Sequence, residues 1–170
     1  MQMLHAVAVK SLLVAGMASM LLLSGCGFEM RGKADLSFKT IFIQGPNYTV
    51  SRDLRKALDV NGVAIVNDPE KADLLLDIMS EVYDKRILSL SGRGRVTEYE
   101  LIYNLNFRIK NAANAVWGPV QTVEGRRDFS YDDTQVLAKS YEEARLRQDM
   151  QSDAVREIMR RLTAAQKPSA

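Results

Sequence analysis

A chain of 170 residues in which 46% are hydrophobic and 26% charged has the make-up of an ordinary globular domain. Its 23 Lys and Arg are matched by 21 Asp and Glu, so no basic excess marks a nucleic-acid binder. The single histidine, His5, and the single cysteine, Cys26, both lie near the N-terminus, and all imidazole or thiol chemistry rests on those two side chains.

In chain order, residues 1–25 read as an export signal. A polar start with His5 and Lys10 precedes the apolar run Leu12–Leu23. At about 12 residues this run is too short to span a bilayer, which takes roughly 20, and is the right size for the apolar core of a signal peptide. It ends in Leu23-Ser24-Gly25-Cys26. This is the bacterial lipobox pattern, a branched apolar residue and two small ones before cysteine. Small residues let the backbone enter a peptidase, and the thiol is the nucleophile that takes up a diacylglyceryl chain. A buried core thiol is the alternative use of a lone cysteine. Its position directly after a signal-length run favours lipidation of Cys26, and two or more acyl chains there anchor a protein stably. Gly27 rather than Asp follows the cysteine, the pattern of lipoproteins sorted to the outer membrane.

Removing residues 1–25 from 170 leaves 145, and because only Lys10 is lost, 22 basic side chains face 21 acidic ones. That length supports one domain burying roughly two-thirds of its chain surface. Without His5, and with Cys26 acylated, histidine- and cysteine-based catalysis and zinc sites are excluded. No carboxylate pair stands out for acid–base work. The sequence thus predicts no enzyme, no cofactor and no metal centre.

Residues 26–38 form the lipidated N-terminus and a tether, and residues 39–165 the domain. Its first strand is "FKTIFIQG", ended by the turn Gly45-Pro46-Asn47. A helix over about 50–60 follows, with Val50, Leu54, Ala57 and Leu58 on one face and Asn61-Gly62 as its stop. "VAIVN" is a short apolar piece before the Asp68-Pro69 turn. From Ala72 a long strand places Leu74, Leu76, Ile78 and Val82 on its buried side at period two.

"TEYELIYNLNFRIK" alternates most cleanly, with Tyr99, Leu101, Tyr103, Leu105, Phe107 and Ile109 on one side and mainly charged or amide side chains on the other. Such alternation belongs to an antiparallel sheet with one buried and one polar face. "NAAN" is a hairpin connection, and the return strand is interrupted by Gly118-Pro119, the mark of a bulge or an edge strand. In the last helix Ser140 and Glu143 make a capping-box pattern, and Met150, Ala154, Ile158 and Leu162 form the apolar face. Residues 166–170 are a short tail. The predicted fold is α/β: a two-layer sandwich, a four-stranded and mostly antiparallel sheet with two helices packed on one face.

Four stretches, "GCGFEMRG", "SRDLRKALDVNGVAIV", "RVTEYELIYNLNFRI" and "RRDFSYDDTQVLAKSYEEARLRQDMQSDAVREIMRRL", resemble in this order the LPS-assembly lipoprotein family, LptE. The resemblance implies the same two-layer sandwich. It also implies a lipid-anchored protein on the periplasmic face of the outer membrane. There it plugs and helps assemble the LptD-type β-barrel and contacts lipopolysaccharide on its way to the cell surface. The competing function is a free-standing periplasmic lipoprotein acting as lipid carrier or as accessory to another envelope complex.

Arg93 and Arg95, in the loop 89–95, present guanidinium forks that match lipid phosphates, with glycines that allow close approach. Equally, they suit a solvated hairpin tip. Lys139 falls at a basic position that the family associates with lipopolysaccharide. Tyr99, Tyr103 and Phe107 read as core rather than as a lipid groove. Asp128, Asp132 and Asp133 read as loop and cap residues rather than cation ligands, because their spacing is not that of a calcium loop.

Overall fold

The computed structural model describes residue 36 and residues 38–114 and 116–165. The signal segment 1–25, Cys26, most of the tether and the tail 166–170 lie outside these residues. The order is β1 (Thr40–Gln44), α1 (Thr49–Val60), β2 (Ala64–Ile65), a 3-10 turn (Pro69–Lys71), β3 (Leu74–Leu90), β4 (Val96–Asn111), β5 (Gln121–Ser130) and α2 (Val136–Ala164).

One sheet of five strands runs β2-β1-β3-β4-β5. β1 lies parallel to both β2 and β3, while β3, β4 and β5 form an antiparallel meander. The sandwich is as predicted, with one strand more: the apolar piece "VAIVN" supplies the two-residue edge strand β2 beside Thr40 and Ile41. So short a strand carries no periodic signal. β5 is the opposite edge. Its lead-in is irregular at Gly118, whose N–H donates to the Ile109 carbonyl at 2.9 Å and where an added Cβ would crowd that same oxygen.

The core lies between the sheet and the two helices. Val50, Leu54 and Leu58 of α1 and Met150, Ala154, Ile158 and Leu162 of α2 share it with Leu101, Tyr103, Leu105, Phe107 and Ile109 of β4. Phe38, at the junction of the tether and the first strand read from the sequence, is also buried in it. Among the described residues no helix lies on the other sheet face, which is tied by cross-strand polar contacts. Arg108 donates to Asp77 at 2.8 Å, Asn106 to Ser80 at 2.9 Å, Thr122 to Asn106 at 2.7 Å, and Arg86 pairs with Glu100.

β3 departs from the expected phase. Leu74, Leu76 and Ile78 face the core, but a bulge between Ile78 and Ser80 inserts one residue and reverses the alternation. Val82 therefore stands on the exposed side, and Glu81, Tyr83 and Lys85 turn toward the helices. The bulge is braced from outside, since the Tyr48 hydroxyl donates to the Met79 carbonyl at 3.1 Å. Gly45 passes so close to Ile78 that a side chain there would strike its carbonyl, at a φ of 124° that L residues rarely adopt.

The reversal gives Glu81 a structural task. α1 begins at Tyr48 with no side-chain cap of its own and no acid in its first turn. Glu81 fills that role from β3: one oxygen accepts from Thr49 Oγ1 at 3.1 Å and Val50 N at 3.3 Å, the other from the Tyr103 hydroxyl at 3.0 Å. A carboxylate at a helix N-terminus meets free N–H groups and the positive end of the dipole. Burial, and next the Glu81 charge, push the Tyr103 phenol far above its ordinary value, so it stays a donor. Glu81→Ala removes the carboxylate that this buried hydroxyl bonds to, leaving it Tyr83, and uncaps α1. The expected loss is about 2–4 kcal/mol, read from the denaturant midpoint.

Candidate functional site

The antiparallel pair β3–β4 is long, and its far end carries the loop 91–95. Ser91 organises this loop: its N–H donates to the Arg95 carbonyl at 2.7 Å, its carbonyl accepts from Gly94 N at 2.9 Å, and its hydroxyl accepts from Arg95 N at 3.1 Å. Gly94 sits at φ 75°, which a tight return of this kind reserves for glycine. Arg93 is exposed and has no ion-pair partner among the described residues, whereas Arg95 Nη1 lies 3.2 Å from Asp133 Oδ2.

Asp133 belongs to the segment that leads from β5 into α2, and this segment folds against the same end. Tyr131 N donates to the Thr97 carbonyl at 2.8 Å. Asp132 accepts from Thr134 N at 2.9 Å and Thr134 Oγ1 at 2.8 Å, and the backbone bond holds its carboxyl below the usual range. α2 then starts at Val136, four residues before the expected capping box. Ser140 instead donates to the Leu137 carbonyl, and Glu143 is drawn off to Lys85 of β3 at 2.6 Å and to Arg147 at 2.8 Å. The capping-box motif fails because its acid has a stronger partner elsewhere in the fold.

Lys139 follows from this geometry. Its ammonium donates to Ser130 Oγ at 2.9 Å and to Glu142 at 2.8 Å, and its side chain is only 16% exposed. The three predicted basic residues therefore share one end of the domain, but not one role. Arg93 and Arg95 point into solvent from the loop, while Lys139 bonds to the end of β5.

The sequence reading missed two further features of this end. Ile87, Leu88 and Leu90 on β3 and Val136, Leu137 and Tyr141 on α2 are large apolar side chains left exposed. The run "ILSL" had already broken the alternation, which was the available signal. The second feature is Lys85, whose ammonium rests 4.0 Å from the Tyr99 ring centroid, 5.4 Å from Phe129 and 5.9 Å from Tyr131. At such distances a ring face attracts a cation. Glu143 across from it is pushed up by burial but pulled down further by Lys85 and Arg147, and ends below its ordinary value. Tyr83 nearby is pushed up to about 12, by burial first and the Glu81 charge next.

Comparison with known proteins places this arrangement. The sequence model of the LptE family, described as lipopolysaccharide-assembly, matches residues 38–162. The chain belongs to the LptE family. Similar curated proteins carry the name LPS-assembly lipoprotein LptE. That of Yersinia enterocolitica is 28% identical over 89% of this chain and 74% of its own, and that of Pectobacterium atrosepticum 28% over 88% and 83%. Among solved structures, uncharacterized lipoprotein B of Nitrosomonas europaea is 38% identical with a TM-score of 0.71, covering 81% of this chain and 91% of its own. The rare lipoprotein B of Shewanella oneidensis is 26% identical with a TM-score of 0.68, covering 75% and 96%. The LptE match spans β1 to the last turns of α2 and so takes in the loop 91–95 and Lys139.

Proposed function

We propose that this protein is the lipoprotein subunit of an outer-membrane lipopolysaccharide translocon. Acylated on Cys26 and tethered through the residues that follow, it is held on the periplasmic face of the outer membrane. There it plugs and helps assemble an LptD-type β-barrel and meets lipopolysaccharide during delivery to the surface. Its work is binding and assembly, not catalysis. The names of its relatives support the lipopolysaccharide part of this reading, and the lipobox supports the anchor. The carrier alternative needs room for acyl chains inside the domain. Tyr103, Phe107, Leu54, Leu58, Met150 and Ile158, each under 2% exposed, fill the space between sheet and helices.

The observation that carries the lipopolysaccharide contact is the loop 91–95. A domain with nearly equal numbers of acids and bases has no bulk attraction for a polyanion. Contact must be local, and Arg93 is an exposed guanidinium with no ion-pair partner among the described residues. Arg95 shares Asp133 in a pair whose members are 73% and 55% exposed, so the acid gives way readily to a phosphate. Arg93→Glu with Arg95→Glu is expected to weaken binding of purified lipopolysaccharide at least about tenfold with unchanged thermal stability. Wild-type binding should fall as salt rises, because exposed charges are screened. Lys139→Gln is expected to do less, since that amine is largely covered. Undiminished binding by the double arginine variant would leave the loop a solvated turn.

A further inference from the structure

α2 turns one face to the sheet along its length, but the chemistry of that face changes midway. From Met150 on, the inward positions are Met150, Ala154, Ile158 and Leu162, all buried. Before Met150 the same stripe continues as Leu146 and Arg147, then Glu143, then Lys139, and no residue of 136–149 is buried. Of the large apolar side chains of this first half, Leu137 and Tyr141 point the other way and are 69% and 70% exposed, while Val136, on the stripe one heptad before Glu143, is still 54% exposed. A surface helix normally turns its apolar stripe inward and buries it. Here the first half covers only Leu146, and that partly.

What attaches the first half is mostly charge. Glu143 bonds to Lys85, Lys139 to Ser130, the Arg147 guanidinium lies 5.6 Å from the Tyr83 ring centroid, and Leu146 alone adds an apolar side chain packed on the core. The helix also starts without a side-chain cap and without an acid in its first turn. Segments held by few apolar contacts open locally at far lower cost than the segments that form the core. Beneath the Lys85–Glu143 pair lies an aromatic floor. Tyr99 packs on Phe129 at 5.8 Å and edge-on to Tyr131 at 5.0 Å between centroids, with the Lys85 ammonium over all three rings.

We infer that residues 136–149 form a strap that unwinds from the sheet independently of residues 150–164, and that the floor it uncovers is a second contact for the acylated, phosphorylated end of lipopolysaccharide. This rests on the function proposed above and adds a site apart from the arginine loop. The occupant follows from charge and polarity. When the strap lifts, Lys85 loses its carboxylate but keeps its ring faces. A phosphate replaces Glu143 on the ammonium, and an acyl chain covers Tyr99, Phe129 and Tyr131. Inorganic phosphate lacks the chain and a neutral lipid lacks the anion, so neither satisfies both halves of the site.

The test uses the full lipidated protein in detergent, with hydrogen exchange along α2 and binding of purified hexa-acylated, bisphosphorylated lipid A. Amides of 136–149 are expected to exchange at least about tenfold faster than those of 150–162, and faster still in Glu143→Gln. Because that variant favours the open form, it should bind lipid A about threefold more tightly or better. Lys85→Met also releases the strap but removes the ammonium, and should show the faster exchange without the gain in binding. Unchanged exchange at 150–162 reports that each variant is folded, and if Lys85→Met fails to fold, Glu143→Gln carries the test. Uniform exchange along α2 overturns the strap. Binding by Glu143→Gln no tighter than wild type overturns the floor. If binding then still depends on Arg93 and Arg95, the function proposed above stands without this inference, and a wild type that binds no lipid A overturns both.

Discussion

Replacing Cys26 by alanine is expected to abolish palmitate labelling of the chain and to leave residues 1–25 attached. Cys26 is the only thiol in the sequence, and a methyl group cannot take up a diacylglyceryl chain. Each buried acyl methylene contributes about 0.8 kcal/mol of membrane affinity, and a single chain binds only marginally. Losing the whole set therefore removes the acyl anchor, and the variant keeps only the apolar run of its uncleaved signal. The folded domain should be indifferent, because its core begins at Phe38 and contains no cysteine. Matching thermal midpoints for wild type and variant, with labelling lost, would separate anchoring from folding. Palmitate incorporation persisting in Cys26→Ala would overturn the assignment of the lipid to this residue.

The parts of the fold that were legible in the sequence are those whose neighbours repeat. β4 has a strand on each side and, among the described residues, helices on one face and none on the other, so its odd and even residues see constant environments and alternate without error from Leu101 to Ile109. β3 is less regular. One extra residue at Met79 reverses its faces, and nothing in "DIMSE" announces a backbone bulge. Glu81 and Lys85 then turn inward, against hydropathy, because their partners come from helices 31 and 58 residues away in sequence. The same long-range pair makes Ser140 and Glu143 a false helix start. At the candidate site the glycine-flanked arginines of the loop were readable, since a turn and its charges are local. The covering of Lys139 by Ser130 was not, because it depends on where β5 ends relative to α2.

Leu105→Ala is expected to destabilise the domain by about 2–5 kcal/mol, while Asn104→Ala next to it costs well under about 1 kcal/mol. Leu105 is fully buried at the centre of β4, opposite Glu81 of β3 on one side and Val123 of β5 on the other. Truncating it leaves a cavity between the sheet and the helices, where close packing allows only partial collapse. Asn104 looks out from the helix-free face and makes no side-chain hydrogen bond among the described contacts. Asn106, bonded to Ser80 and Thr122, should fall between them at about 1 kcal/mol. Against a typical total of about 5–15 kcal/mol, the Leu105 loss is a large fraction of the stability. At roughly 3–6 °C per kcal/mol, it should be plain in a thermal scan of the isolated domain. Similar losses at Leu105 and Asn104 would mean that a second packed layer covers the outer face, and the two-layer arrangement would have to be given up.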